Sequence, residues 1–188
     1  MIPALVVGAE VAFWVVLVAG LLTRYALRRP RLGALLLLCV PLVDVVLLAV
    51  VALDLARGAA PDGTHTLAAL YLGVTVAFGH PLVRWADARV AHRFGGAPPP
   101  TRPERGSRAY VRSLWVEWGR VVLAAVLAVA VLAGLGLVAG TGAFPSSTSD
   151  VPANPLWAPM GVLPVVVGIW FLAGPAFARV TVPASAQR

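Results

Sequence analysis

The stretch SLWVEWGRVVLAAVLAVAVLAGLGLVA, residues 113–139, decides the fold. After Arg120 it contains no charged residue, and its apolar part is long enough to cross a bilayer as one helix, which takes about 20 residues. Four more apolar runs lie around it, over residues 2–23, 32–55, 65–83 and 155–178. The sequence therefore predicts an all-α integral membrane bundle of five transmembrane helices, a single domain over residues 1–188.

Composition indicates the same class of protein. Hydrophobic residues make up 60% of the chain and charged residues only 12%, about half of the roughly 25% that a soluble domain carries. The 15 positive residues are all Arg and give a net charge of +7. Because they lie between the apolar runs, the expected partner of this positive charge is the lipid bilayer and not a nucleic acid.

The distribution of arginine predicts the orientation. Four arginines lie over residues 24–31 and seven over residues 84–112, whereas the second loop holds only Arg57 and the fourth loop holds none. Arginine-rich loops face the cytoplasm, so the N-terminus is predicted outside and the C-terminus inside. Within the third loop, the stretch GGAPPPTRPERG (residues 95–106) excludes a regular helix.

Two carboxylates lie deep inside apolar runs. Glu10 is in the first run and Asp44 in the second, and a rise of about 1.5 Å per residue puts both near the middle of the bilayer. A carboxylate is costly there and often marks a functional interior. Desolvation and a second nearby carboxyl both favour the protonated form, so we expect one acid to be a proton donor. The alternative is that each acid only hydrogen-bonds to a neighbouring helix.

Aromatic and polar side chains accompany the two acids. Phe13 and Trp14 follow Glu10 at three and four residues, on its own helical face. Aromatic faces attract cations, so an acid beside them suits an apolar substrate that forms a cation; lipid-facing or core packing is the alternative. The candidate substrate-binding residues are Phe13, Trp14, Tyr71, His80, Trp118 and Trp170.

The predicted cytoplasmic ends of the third and fourth helices carry a second polar group. Its spacing is compatible with an ion-pair network that closes the bundle, and also with a site for an anionic head group. Pro81 is expected to kink or end the third helix. The residues of this group are His80, Arg84, Asp87, Glu117 and Arg120.

Residues near the predicted membrane interfaces are expected to be structural. Asp54 at the outer end of the second helix is predicted to be solvated. Trp85, Trp115 and Trp157 are predicted to lie in the interfacial aromatic belts.

Metal and cofactor chemistry are not expected. No spacing of His, Cys and Asp fits a zinc site, and there is no glycine-rich phosphate loop. The single cysteine, Cys39, cannot form an internal disulfide. Any chemistry is therefore predicted to depend on carboxylic acids and aromatic side chains, without a metal.

Three stretches in roughly the first 105 residues resemble a known family. They are VAFWVVLVAGLLTRY (11–25), CVPLVDVVLLAVVALDL (39–55) and LAALYLGVTVAFGHPLVRWADARVAHRF (67–94), the last followed by GGAPPP. The most specific part is GH-x-x-x-RWAD-x-R-x-A-x-RF over Gly79–Phe94. On these motifs the chain resembles the small bacterial YmcC-like membrane proteins. Its size and layout are also similar to bacterial membrane-bound terpene cyclases of indole–sesquiterpenoid (drimentine-type) pathways.

The second resemblance implies a metal-independent cyclase that begins by protonating an olefin of a prenylated, for example farnesylated, lipid-soluble substrate. Only Glu10 and Asp44 are carried over as candidate acids, one to donate the first proton and the other to take up the last. Two alternatives stay open: a small transporter or proton-relay protein, and a non-catalytic partner of another membrane chain. A homo-oligomer is compatible with each of them.

Overall fold

A computed structural model of the protein describes residues 2–25, 27, 29–96, 98–99, 101 and 103–180. Every regular element among these residues is helical, so the all-α prediction is confirmed. The α-helices are α1 (Ile2–Tyr25), α2 (Pro30–Ala56), α3 (Gly63–Gly95), α4 (Arg108–Val138) and α5 (Ala158–Ala173). Short 3-10 turns at Val151–Ala153 and Pro175–Phe177 flank α5.

Three segments of the described chain are long and apolar enough to cross a membrane. Within the described chain, three segments qualify as spans, and two shorter apolar segments, Trp14–Tyr25 and Val45–Ala56, belong to α1 and α2. Large apolar side chains cover the outside of the bundle, for example Val7 (60% exposed), Leu35 (61%) and Val162 (60%). The chain is a multi-pass membrane protein, and lipid is the solvent that such a surface requires. The three full-length spans are Gly63–Arg93, Arg108–Val138 and Ala158–Phe177.

Helix ends follow local sequence signals. α3 begins at a capping box in which the Asp62 carboxylate accepts hydrogen bonds from the backbone N–H groups of Thr64 and His65. The helix continues through Pro81, and it ends where Gly96 adopts a left-handed φ of 67°. Ser107 then caps α4 by accepting a hydrogen bond from the Tyr110 N–H. The described part of residues 96–107 is not helical, as predicted, but the flanking parts of the polar segment extend α3 and α4.

Small residues bring the helices together in pairs. A Cβ on Gly33 of α2 would lie 2.6 Å from Arg24 Cβ and 2.7 Å from the Gly20 carbonyl oxygen of α1. A Cβ on Gly73 of α3 would lie 2.5 Å from the Ala124 carbonyl oxygen of α4. Backbones this close are typical of membrane helices, which associate through packing and not through exclusion of water. α5 packs on α4.

The most buried apolar cluster lies toward one end of the bundle, where the loop after α4 folds back. Thr66 Oγ donates a hydrogen bond of 2.9 Å to the Pro155 carbonyl, which ties this loop to α3. Trp157 is consequently only 8% exposed and packs in the cluster, so its predicted place in the interfacial belt is wrong. The cluster consists of Leu47, Val51, Leu55, Ala68, Ala69, Leu132, Leu135, Leu156 and Trp157.

Candidate functional site

The two intramembrane acids lie in helices that run side by side. Glu10 is in α1 and Asp44 in α2, and both helices have regular backbone at these positions. The side chains of Glu10, Phe13 and Asp44 lie outside the part of the chain that the structure describes. Their arrangement is therefore derived from the backbone register of the helices.

The contacts between α1 and α2 fix this register. Gly20 of α1 faces both Gly33 and Leu37 of α2, so its level corresponds to about position 35 of the antiparallel partner. Glu10 lies ten residues from Gly20, and Asp44 lies nine residues from position 35. The difference of one residue corresponds to about 1.5 Å along the helix axis. Glu10 and Asp44 thus occupy the same level of the helix pair.

Residue spacing continues the contact stripes of the two helices through backbone positions 10 and 44. In α1, Gly20 and Arg24 contact α2 and Leu17 is buried. Steps of three and four residues continue the α1 stripe from position 17 to position 10. In α2, the same steps lead from the contact positions 33 and 37 through position 44 to the buried positions 47 and 51. The stripes comprise positions 10, 13, 17, 20 and 24 of α1 and positions 33, 37, 40, 44, 47 and 51 of α2.

Tyr71 of α3 lies close to the same level. Two contacts fix the parallel register of α1 and α3: Arg24 Nη1 lies 3.2 Å from Asp87 Oδ2, and the Tyr25 hydroxyl donates to the Asp87 carbonyl at 3.1 Å. Glu10 precedes Arg24 by 14 residues and Tyr71 precedes Asp87 by 16, a difference of about 3 Å. Tyr71 is half-buried. The registers of α1, α2 and α3 therefore put positions 10, 44 and 71 at about the same depth in the bundle.

The ion pair between Arg24 and Asp87 is a contact between helices that the sequence did not indicate. It joins the end of α1 to the RWAD segment of α3, and the Asp87 side chain is only 19% exposed. Arg24 had been counted only as a loop charge. Asp87 therefore pairs with a residue outside the polar group predicted at this end, while Arg84 of that group is exposed on α3.

The predicted aromatic candidates divide between two places. Trp118 stacks edge-on against Trp115 and also contacts Phe171, and its Nε1 donates a 3.2 Å hydrogen bond to the Val167 carbonyl of α5. These contacts attach α5 to α4, away from the α1–α2 stripe.

The other candidates are more exposed. Trp170 is 44% exposed and lines an apolar groove of about 270 Å³ between α3, α4 and α5. Trp14 is 54% exposed on α1, and His80 is exposed on α3.

A polar cluster at the other end of α3 was also missed. His65 is 2% exposed, and its Nδ1 lies 2.7 Å from Asp62 Oδ1 while its Nε2 lies 3.5 Å from Asp54 Oδ2. Partial burial alone raises the pKa of the Asp62 carboxyl, but hydrogen bonds from Thr64 and His65 outweigh it and lower this pKa to about 2. Asp54, which the sequence predicted to be solvated, has a side chain that is 38% exposed and also faces this imidazole. The Asp62–His65 spacing of a capping box was the available signal.

No metal centre is found in the part of the chain that the structure describes: its His, Cys, Asp and Glu side chains form no group of three or more that could hold an ion. The polar cluster of Asp54, Asp62 and His65 includes the capping box at the start of α3 and the buried His65 side chain.

Comparison with known proteins gives one clear similarity. The chain is 36% identical over 169 residues to the uncharacterized membrane protein YmcC of Bacillus subtilis (strain 168), an alignment that covers 89% of this chain and 86% of that protein. No protein-family model matches the chain, and no solved structure matches it. The similarity extends well beyond the first 105 residues, so it includes α4 as well as the RWAD segment.

Proposed function

We propose that this chain, which belongs to the family of YmcC-like membrane proteins, is a membrane-bound terpene cyclase. Its substrate is a prenylated, lipid-soluble molecule that enters from the bilayer. Glu10 and Asp44 are its acid and base, and the reaction uses no metal. The observation that carries this proposal is the coincidence of level and facing stripe that the α1–α2 contacts give to the two carboxyl positions.

The proposal includes a topology of five spans with the N-terminus outside. Its support is the grouping of arginines at one end of the bundle. The end of α1, the end of α3 and the start of α4 meet there, and positive charge favours the cytoplasmic side. The acids then lie about 14 residues, or roughly 20 Å, from the cytoplasmic ion pair of Arg24.

The proposed chemistry requires the carboxyls of Glu10 and Asp44 to share one space inside the membrane. Repulsion between two carboxylates and the absence of water favour a state in which the pair holds one proton. The protonated acid donates to the terminal isoprene double bond, and the resulting cation closes a ring by attack of the next double bond. The partner carboxylate removes a proton from the cyclised cation. One proton enters and one leaves, so the product is an isomer of the substrate.

The surrounding side chains have supporting parts in this proposal. Phe13 shares the stripe of Glu10, and an aromatic face stabilises a passing cation. Tyr71, at nearly the same depth, donates a hydrogen bond to whichever acid is ionised. The groove beside Trp170 lies between α3, α4 and α5, on another side of the bundle from the acid positions, and the proposed reaction does not use it. Trp118 holds α5 in place and so shapes this groove.

Incubation with a farnesylated indole or aryl compound, followed by chromatography and mass spectrometry, tests the proposal. The protein in lipid nanodiscs is expected to give a product of unchanged mass and altered retention. Glu10→Gln and Asp44→Asn remove the acid with almost no change of shape, so each variant is expected to lose turnover by at least about 100-fold, the scale of general acid–base catalysis.

Glu117→Gln is the matched control, because it also neutralises one carboxylate of this chain but at an exposed site on α4. It is expected to keep wild-type turnover. Full turnover in both acid variants contradicts the proposed mechanism, and absence of conversion of every prenylated probe by the wild-type protein contradicts the proposed activity.

A further inference from the structure

The start of α4 carries an arginine-lined groove that the proposed chemistry does not use. Its volume is about 550 Å³, and its arginines lie at positions 108, 112 and 120 of one helix. Intervals of four and eight residues align them along one side of α4. The described lining consists of Arg108, Ala109, Arg112, Ser113, Val116 and Arg120.

The positive charge of this groove is not compensated within the part of the chain that the structure describes. None of its three arginines belongs to an ion pair between described residues, and α4 contains one acid, Glu117, which does not line the groove. Other arginines of the same end do have partners: Arg24 pairs with Asp87, and Arg89 lies 5.5 Å from the centre of the Trp85 ring. Like charges one helical turn apart repel each other, so this arrangement is best stabilised by an anion from outside the chain.

The position of the groove indicates which anion. Val116 and Ala109 lie between the arginines, and immediately after Arg120 the helix becomes an uncharged apolar run through Val138. A ligand that fits both parts has a negative head and apolar chains. Guanidinium groups bind phosphate oxygens through paired N–H donors.

We propose that this groove binds the phosphate head group of an anionic membrane phospholipid, with the acyl chains lying along α4 beyond Arg120. The site is separate from the acid pair and does not depend on the proposed catalysis. Such a lipid would fix the depth at which α4 enters the membrane.

Native mass spectrometry of the whole protein, released from detergent with added lipid, tests this site. The probes are phosphatidylglycerol and, as a neutral comparison, phosphatidylcholine. The wild-type protein is expected to retain phosphatidylglycerol selectively. The double variant Arg112→Gln/Arg120→Gln is expected to bind it about tenfold more weakly or worse, since each arginine near an anionic surface contributes on the order of a factor of five.

Arg57→Gln/Arg179→Gln is the matched control, because it removes the same net charge from exposed residues outside the groove. It is expected to bind phosphatidylglycerol as the wild type does. Equal weakening in the control variant overturns the site in favour of general charge attraction. Displacement of the lipid by inorganic phosphate or farnesyl diphosphate at the same concentration overturns the assignment to a membrane lipid. Unchanged binding in the groove variant overturns the proposal altogether.

Discussion

The two helix pairs α1–α2 and α3–α4 achieve the same close approach with different chemistry in the contact. In α3–α4, Gly73 lies against Ala124 and Ala128, and the contact is made of small apolar groups. In α1–α2, Gly20 lies against Leu37, but the stripe that continues from this contact includes the positions of Glu10 and Asp44. The α3–α4 pair shows that tight helix packing in this bundle does not need carboxyl groups.

The two contacts also differ in what they cost the stability of the protein. An acid at the centre of a membrane helix costs about 2.5–3.5 kcal/mol on insertion scales, whereas glycine and alanine are tolerated there at little cost. A contact that includes two such acids is less stable than it needs to be. Under the proposed function, the α3–α4 contact holds the fold and the α1–α2 stripe carries the chemistry.

The largest expected effect on stability comes from Gly73→Leu. Its Cβ would lie 2.5 Å from the backbone oxygen of Ala124, which cannot move without separating α3 from α4, so a loss of about 3 kcal/mol or more is expected. Thermal unfolding in detergent measures it. Gly134→Leu is the control, because a Cβ on Gly134 of α4 meets nothing within 4 Å; equal destabilisation by both changes would remove the special role of the α3–α4 contact.

The combined variant Glu10→Gln/Asp44→Asn is expected to act in the opposite way. Turnover disappears, but the unfolding temperature stays the same or rises, since neutral amides are less costly than carboxylates in a low-dielectric site. Turnover and thermal unfolding are measured on the same preparation. Collapse of the fold in this variant would place the acids among the packing residues of α1–α2.

A smaller effect is expected where the two pairs are joined at the arginine-rich end. Arg24→Gln or Asp87→Asn removes the ion pair between α1 and α3, whose side chains are 36% and 19% exposed. Partial exposure reduces the cost below that of a fully buried pair, to about 1–2 kcal/mol. A double-mutant cycle by thermal unfolding measures the coupling, and additive effects of the two substitutions would show that the pair contributes nothing.

The smallest expected effect concerns pH at the opposite end. The Asp62 carboxyl has a pKa of about 2 in the folded chain against an ordinary value of 3.8, so its stabilising effect is complete above about pH 4 and is lost as the pH falls toward 2. Asp62→Ala is expected to cost about 1 kcal/mol at neutral pH through loss of the helix cap. It should also flatten the decline of the unfolding temperature between about pH 4 and pH 2; an unchanged acid decline would contradict this role.

Sequence patterns predict the parts of this molecule that depend on local chemistry. The apolar runs correspond to the five helices of the described chain, and residues 95–106 mark the break between α3 and α4. Counting residues also put Glu10 and Asp44 at similar depth, which the α1–α2 register supports.

What the sequence did not predict depends on which helices become neighbours. The pairing of Arg24 with Asp87, the burial of His65 and the inclusion of Trp157 in the core all join residues far apart in the chain. The packing of α5 on α4 likewise separates Trp118 and Trp170 from the acids, and no spacing within α5 indicates this arrangement.

Disulfide cross-linking tests the central claim, that Glu10 and Asp44 face each other, most directly. In a Cys39→Ser background, the pair Glu10→Cys/Asp44→Cys is oxidised in the membrane and the remaining thiols are counted by alkylation and intact mass. The matched control is Val11→Cys/Val45→Cys, at the same level but at positions that are 57% and 54% exposed. Because a disulfide needs Cβ atoms about 3.5–4.5 Å apart, the account predicts rapid loss of both thiols at positions 10 and 44 and free thiols in the control. Free thiols at positions 10 and 44 after full oxidation would contradict it.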